Sequence, residues 1–306
     1  MAIEESAARL DAIMLTRGAA ARAAENALVE RGLGMSEAAV CERWLAELGK
    51  NSAIEPCGWY APPPHGMSVL VGDPPDFRRT TFASLREVSH WPRSEALVDE
   101  ESLLFLYCSP VHRSSGMIGD FQMSLYGGSS SAVRRHIAAT LDVTVKTVEY
   151  AAVGMEFAEL YDYADRQMRC QSVRNDTNST TDVSGQQNIG HTVPWFESGA
   201  PTDLLQALAE RDHGKIAAGL SPARTFITGR QRARIGRDSS FTVEPQVTSE
   251  SGILATFHFI VTFCRGDKVV LAGFSNLFAT FGMTEFLEAE SMDAVRAYDS
   301  RVLRYS

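Results

Sequence analysis

The stretch FTVEPQVTSESGILATFHFIVTFCRGDKVVLAGF (241–274) decides the fold class of this chain. It is rich in Val, Ile, Phe and Thr, and short segments with Gly, Ser, Asp or Pro separate its apolar runs, which is typical of consecutive strands. The same composition recurs upstream in MSVLVG and SLLFLYCSPV. We therefore expect strands at 67–72, 102–111, 225–228, 240–247, 253–264 and 268–274.

The segments around these strands carry apolar residues at helical spacing. In the second of them, Ser36 stands at the N-cap position and Gly49 at the C-terminal end. A polar stretch without periodicity, 173–188, predicts a loop. The predicted helices cover 4–31, 36–49, 131–172 with an interruption near Gly154, and 202–213. Helices, strands, helices and strands in that order predict an α+β fold.

The composition excludes several classes of function. The 306 residues include 29 basic and 38 acidic side chains, a formal net charge of −9, whereas binding to nucleic acid or to anionic lipid needs a basic surface. The five cysteines include no C-x-x-C pair, so no disulfide framework or cysteine zinc site is indicated. No signal peptide and no apolar run of about 18 residues is recognisable, so we expect a cytoplasmic protein that binds no nucleic acid and no membrane.

Four short segments recur in a recognisable order: GLGMSEAAVCERWLAEL (32–48), GMIGDFQMSLYGG (116–128), NIGHTVPW (188–195) and FTVEPQV (241–247). Together they resemble the superfamily of methionine aminopeptidase, prolidase and creatinase. The resemblance implies the pita-bread α+β fold and a homodimer. It also implies that helices in residues 1–49 pack on a catalytic-type domain formed by residues 50–306.

Members of that superfamily hold two divalent ions with two Asp, one His and two Glu. By resemblance, Asp120 matches the second Asp, His191 the His, and Glu244 the Glu of the E-P motif. The first Asp has no counterpart, because residues 107–109 include no carboxylate, and His258 stands in place of the last Glu. Two neighbouring ions need bridging carboxylates. We therefore expect one divalent ion, Fe, Mn, Co or Zn, at Asp120, His191, Glu244 and His258.

Two histidines are candidates for acid–base catalysis. His90 resembles the histidine that the superfamily places ahead of the first Asp strand, and a pKa near neutrality suits that work. His65, which precedes Gly66, is the competing candidate, because the superfamily often has His-Gly at that hairpin.

Aromatic residues near these motifs suggest the walls of a pocket. Trp195 and Phe196 stand where the superfamily has polar contacts to the substrate, Glu197 follows them, and Trp59 is a candidate for the opposite wall. An apolar pocket of this kind favours a small-molecule substrate that is partly apolar or aromatic.

Three functions remain open at this level, because a fold does not determine a function. The first is an enzyme that cleaves or rearranges a C–N or amide-type bond of a small molecule with a single metal ion and is not a general aminopeptidase. The second is a metal-free enzyme of the creatinase type that uses a histidine as acid and base. The third is a non-catalytic binding module, in which the same four side chains have structural roles only.

Overall fold

The structure is a computed structural model, and it describes residues 2–57, 64–72, 85, 87–175, 186–196 and 199–302. Its helices are α1 (Ala2–Ala27), α2 (Glu37–Gly49), α3 (Ser131–Tyr150), α4 (Phe157–Cys170), α5 (Thr202–Glu210), α6 (His213–Leu220), α7 (Ser275–Thr280) and α8 (Ala289–Val302). No helix within those residues is both long and apolar enough to cross a membrane.

The strands form four small antiparallel sheets. They are β1 (Ile54–Glu55), β2 (Met67–Gly72), β3 (Leu103–Cys108), β4 (Val111–His112), β5 (Phe121–Tyr126), β6 (Arg174–Asn175), β7 (Thr192–Val193), β8 (Ser239–Val243), β9 (Gln246–Thr248), β10 (Leu254–Thr256), β11 (Phe259–Cys264) and β12 (Asp267–Leu271). The sheet orders are β2-β3-β5, β12-β11-β8-β7, β10-β9-β6 and β1-β4.

The long N-terminal helix lies against the rest of the chain through a face made largely of alanines. The small side chains of Ala20 and Ala24 let α2 approach closely, so that the Trp44 indole donates a hydrogen bond of 3.2 Å to the Ala20 carbonyl. The helix ends at Ala27, a few residues before the predicted end, and a short 3-10 turn follows. As predicted, Ser36 caps α2, accepting a hydrogen bond from the backbone N–H of Ala39.

Several local predictions of helices, strands and loops were wrong. The helix expected at 202–213 is two helices, α5 and α6, because the chain turns through the left-handed conformation at Arg211. Residues 225–228 form a single bridge from Phe226 to His191 rather than a strand. The loop expected at 173–188 includes the two-residue strand β6, and its residues 176–185 lie outside the described part. Helices α7 and α8 were not predicted at all.

Two predicted strands each break in the middle, at the same level of the sheet. The run 240–247 divides into β8 and β9 at Glu244-Pro245, where proline has no N–H to donate, and the run 253–264 divides into β10 and β11 at Phe257-His258. One register continues across both breaks, since Val243 lies opposite Phe259 and Gln246 lies opposite Thr256. Residues 244 and 258 therefore face each other where the paired strands pass from one sheet to the next.

The C-terminal helix is held to the sheet by one carboxylate. Asp299 of α8 accepts hydrogen bonds from three consecutive backbone N–H groups, those of Gly273, Phe274 (3.1 Å) and Ser275 (2.7 Å), where β12 gives way to α7. Because the carboxylate is buried, water could not replace it as the acceptor for these three N–H groups.

We expect Asp299→Asn to lower the free energy of unfolding by about 1–3 kcal/mol, because an amide turns one N–H group toward donors that need an acceptor. Urea denaturation monitored by circular dichroism measures the change. Asp293→Asn is the matched control, since this side chain on the same helix is 73% exposed and pairs with Arg296 at its surface. Its effect should stay within about 0.5 kcal/mol, and equal effects of the two variants would contradict the capping role.

Candidate functional site

The site begins with a turn that glycine makes possible. Gly190 has φ +146°, and a Cβ atom at this position would lie 2.2 Å from the Thr242 carbonyl oxygen. Without that atom the turn lies flat on β8, and the His191 N–H donates to Thr242 Oγ1 at 3.0 Å while the Thr242 N–H donates to the His191 carbonyl at 2.8 Å. The imidazole of His191 is buried by this arrangement.

Glu244 is fixed from the same two segments. Its N–H donates to the Ile189 carbonyl at 2.7 Å, and the Thr242 hydroxyl donates to Glu244 Oε1 at 2.9 Å. This places Glu244 Oε1 3.4 Å from His191 Nε2. Thr242 thus supports both side chains, and the sequence analysis had not singled it out.

His258 and Asp120 complete the group from the other side. His258 Nε2 lies 3.9 Å from Glu244 Oε2 and 4.0 Å from Asp120 Oδ2, both too long for hydrogen bonds. All four predicted metal ligands are buried side by side. Within the described chain, neither His258 Nε2 nor Asp120 Oδ1 has a hydrogen-bond partner.

Beneath these residues lies Arg17, a fully buried side chain in the middle of α1. Its guanidinium donates to the backbone carbonyls of Ala272 (2.7 Å), His258 (2.6 Å) and Asp120. It also lies over the ring of Phe121, with 4.7 Å between Cζ and the ring centroid. One cation therefore joins α1, the start of β5, the break before β11 and the end of β12.

The contacts of the two histidines give their rings opposite tautomers. His191 Nδ1 lies 3.0 Å from the Thr192 carbonyl, which only accepts, so the proton is on Nδ1 and the Nε2 lone pair faces Glu244. His258 Nδ1 lies 3.4 Å from Arg17 Nη1, which only donates, and this contact favours the tautomer whose proton is on Nε2, facing the two carboxylates. The tautomer suited to metal ligation is that of His191.

Burial sets the charge of every titratable group here. It lowers the pKa of His191 to about 3, with the nearby Arg224 cation adding to the effect, and it lowers the pKa of His258 well below the ordinary value. It raises the pKa of Glu244 to about 7. The pKa of Asp120 is raised well above its usual range, first by burial and then by the negative charge of Glu244. Both histidines are therefore neutral, and burial favours the protonated, neutral form of both carboxyl groups.

The donor set suits a divalent ion, although its members are spread wider than one coordination shell. Two ligand atoms about 2.1 Å from a tetrahedral ion are about 3.4 Å apart, which matches the separation of His191 Nε2 and Glu244 Oε1. Of the residues that the structure describes, the group that brings three ligand atoms within 4.8 Å of one another lies elsewhere, at Glu55, Cys57 and His213. Asp120 would have to move toward Glu244 to join the same shell.

The position of the missing first aspartate is occupied by small buried side chains. Cys108 ends β3 and Ser109 follows it, both fully buried. Burial first, and Asp120 second, raise the pKa of the Cys108 thiol well above its ordinary value, so the thiol is neutral. Because His258 also stands in place of the last Glu, the site has two negative groups fewer than the five-ligand pattern that the resemblance implies.

The structure places the predicted catalytic histidines at the edge of a cavity. His65 is exposed, with φ +64°, and lines a cavity of about 540 Å³ together with Met67, Val88 and Trp91. His90 is half-buried at the end of the 3-10 helix Val88–His90, between cavity-lining residues. The described contacts bring neither histidine into the group of four.

Of the predicted substrate walls, two residues are described. Trp195 and Phe196 are half-buried and pack on an apolar cluster that includes Met117 and Leu204. Arg9 of α1 holds them, with its guanidinium 4.7 Å from the Trp195 ring centroid and a hydrogen bond to the Phe196 carbonyl. Trp59 and Glu197, the other two residues of this prediction, lie outside the described residues.

A second arginine near the site was also missed in the sequence. Arg224 is half-buried, with Cζ 5.1 Å from the Phe226 ring centroid, and Phe226 in turn meets the His191 ring edge to face. Its positive charge acts on Asp120, His191 and Glu244. The sequence showed only a charged residue in a polar turn, so no pattern marked it.

No protein-family model and no curated protein matches the sequence. Solved structures do match the fold. Prolidase from Pyrococcus furiosus superposes with a TM-score of 0.59 at 14% identity, over 86% of this chain and 63% of that one. Methionine aminopeptidase from Thermotoga maritima gives 0.57 at 13% identity, over 86% and 96% of the two chains. Aminopeptidase PepP from Pseudomonas aeruginosa gives 0.56 at 14% identity, over 95% and 59%.

These neighbours confirm the predicted fold: the chain has the α+β pita-bread architecture. It spans only about three fifths of the length of several of them, 60% for X-Pro aminopeptidase from Thermotoga maritima and 63% for the Pyrococcus prolidase. Identities of 11–14% show the fold and leave the activity to be argued from the site.

We expect Arg17→Lys to lower the free energy of unfolding by about 2 kcal/mol or more, because one ammonium cannot reproduce a planar fork that reaches three carbonyls. Chemical denaturation measures the loss. Arg22→Lys is the control, since Arg22 is a half-buried arginine on the same helix whose Nη1 has no hydrogen-bond partner within the described chain. If Arg17→Lys were as mild as Arg22→Lys, the three carbonyl contacts would not be holding the site together.

Proposed function

We propose that this chain is a hydrolase-type enzyme that holds one divalent ion at His191, Glu244 and Asp120 and acts on an amide or related C–N bond of a small molecule. The observation that carries the proposal is the approach of His191 Nε2 to Glu244 Oε1, 3.4 Å apart and both buried. With His191 in the tautomer described above and Glu244 ionised, both atoms are acceptors, and this buried pair is stabilised either by a proton on the Glu244 carboxyl or by a cation between the two atoms.

The donor chemistry supports a single ion of the Mn, Fe, Co or Zn type. A neutral imidazole with its other nitrogen bonded to a backbone carbonyl is the usual state of a ligating histidine, and carboxylates of raised pKa gain most from a nearby cation. Such an ion, when bound, polarises a carbonyl or lowers the pKa of a water. The loss of one carboxylate at 107–109 argues against a second ion.

His258 was expected among the ligands, and its contact with Arg17 favours a different task. With Nδ1 accepting from the guanidinium, His258 presents Nε2–H to the space between Asp120 and Glu244. A neutral N–H donor in that position is suited to bind a substrate oxygen on which negative charge develops. Arg17 fixes the ring and its tautomer, so it is a positioning residue.

The substrate class that we propose rests on the similar structures and on the ligand residues of this site. The similar structures are named as prolidases and aminopeptidases, which supports amide-bond chemistry, whereas the altered ligand set separates this site from a general aminopeptidase. We propose a small, partly apolar substrate, held near Trp195 and Phe196, with His90 as acid and base and with a homodimer as the working form.

Manganese binding tests the metal centre, because Mn²⁺ prefers oxygen and imidazole ligands to thiols. We expect the metal-stripped protein to bind about one Mn²⁺ per chain by electron paramagnetic resonance titration, and His191→Ala to bind none. His112→Ala is the matched control, since His112 is a half-buried histidine that bonds Ser115 outside the site. Glu244→Gln should also lose the ion while keeping the volume of the side chain.

The outcomes separate the three functions. No Mn²⁺ binding by the wild type, after trials with Fe, Co and Zn, would overturn the metal proposal. Turnover of amides by such a metal-free protein would then favour the creatinase-type alternative. Neither metal nor turnover would favour the binding module. Two Mn²⁺ per chain, both lost in His191→Ala, would restore a dinuclear aminopeptidase site.

The role of His90 has its own test. On a panel of N-acyl amides, ureas and dipeptides, we expect His90→Ala to lower kcat by about 100-fold or more for whichever compound is turned over, with Mn²⁺ binding unchanged. His65→Ala, at an exposed histidine of the same cavity, is the control and should keep most of the activity. The reverse ranking would transfer the acid–base role to His65, and equal activities would remove it from both.

A further inference from the structure

We propose a second metal site, for Zn²⁺ or another thiophilic divalent ion, formed by Glu55, Cys57 and His213. The three side chains place one ligand atom each within 4.8 Å of one another. They offer a carboxylate oxygen, a thiol sulfur and an imidazole nitrogen, which is a ligand set that zinc accepts with a fourth position open. The site lies apart from the group around Glu244 and plays no part in the function proposed above.

Distant segments of the chain build this cluster. Glu55 ends β1, Cys57 follows two residues later, and His213 is the first residue of α6. Glu55 and Cys57 are buried and His213 is half-buried. His213 Nδ1 is shielded from solvent and has no hydrogen-bond partner within the described residues, so this ring carries a nitrogen that a cation would satisfy.

A route for the ion is present. A cavity of about 440 Å³ is lined by Glu55, Cys57, Asn51 and Ser52, together with two arginines, Arg113 and Arg211. A cation entering through it would meet the thiol and the carboxylate and keep its remaining position open toward the cavity. A site of three protein ligands with one open position exchanges its ion and can bind a further small ligand.

The two arginines decide which cation the site takes. Arg113 Nη2 lies 2.7 Å and Arg211 Nε lies 3.5 Å from Glu55 Oε2, so both guanidinium groups contact the same oxygen of that carboxylate. Their charges oppose a hard cation such as Mg²⁺ or Ca²⁺, which is held by charge alone. Zinc and cobalt gain instead from a thiolate bond. Burial raises the pKa of the Cys57 thiol to about 11, so the metal-free thiol is a weak nucleophile.

Cobalt provides the test, because Co²⁺ bound to a thiolate has a charge-transfer absorption band that Co²⁺ bound to oxygen and nitrogen lacks. We expect the metal-stripped protein to develop this band with about one equivalent of Co²⁺ beyond any ion at His191. The band should vanish in Cys57→Ser and weaken in His213→Ala. It should persist in His191→Ala, whose loss of Mn²⁺ reports on the first site alone.

Two matched cysteine variants test whether the absorption band comes from Cys57. Cys108→Ser removes the buried thiol beside Asp120, and Cys170→Ser removes the exposed thiol, and both should keep the band. Near-ultraviolet circular dichroism checks that each variant is folded. A band that disappears with Cys108 or Cys170 would overturn the site, as would Co²⁺ binding without any thiolate band in the wild type. If Cys57→Ser failed to fold, His213→Ala alone would decide, and an unchanged band in it would refute the proposal.

Discussion

A single buried cation, the guanidinium of Arg17, is the contact on which the rest of the site depends. Burying a charge in the interior costs several kcal/mol unless hydrogen bonds replace the water. Here the three carbonyls of Asp120, His258 and Ala272 do so, and burial still lowers the arginine's pKa to about 9. Because those carbonyls belong to three separate segments, the charge is stable only when the segments have assembled. The N-terminal helix that carries it is therefore part of the site.

The second constraint is the interrupted pairing at residues 244 and 258. A regular sheet would leave Glu244 and His258 as one cross-strand pair among many. The proline after Glu244 and the passage of both strands into another sheet interrupt the ladder at this pair, and Asp120, just before β5, has its Oδ2 atom 4.0 Å from His258 Nε2. The candidate site residues lie at strand ends, where backbone pairing stops.

A feature of this structure could be predicted from the sequence when the residues that determine it are neighbours along the chain. The strand 67–72 and the cap at Ser36 depend on neighbouring residues, and both were predicted to the residue. The breaks within 240–247 and 253–264 depend on which sheet each half of the strand joins. No local sequence pattern specifies the sheet that a strand joins. The grouping of Asp120, His191, Glu244 and His258 was reached only through resemblance in four ordered segments. The contact of Arg17 with two of those residues links positions more than 100 apart in sequence, and Arg17 is one of three arginines in an alanine-rich helix, so no local pattern marked it.

The electrostatics of the group argue for an ion more strongly than any one contact does. Among the described residues, Arg17 and Arg224 are cations near the group, and Arg17 donates its hydrogen bonds to backbone carbonyls rather than to the carboxylates. Asp120 and Glu244 consequently lie buried with raised pKa values, next to two imidazoles that burial keeps neutral. If these four polar side chains had only a structural role, apolar side chains of similar volume in their place would make the folded state as stable or more stable. The proposed divalent ion accounts for their joint burial, because a bound cation would favour the ionised carboxylates over the protonated forms that burial favours.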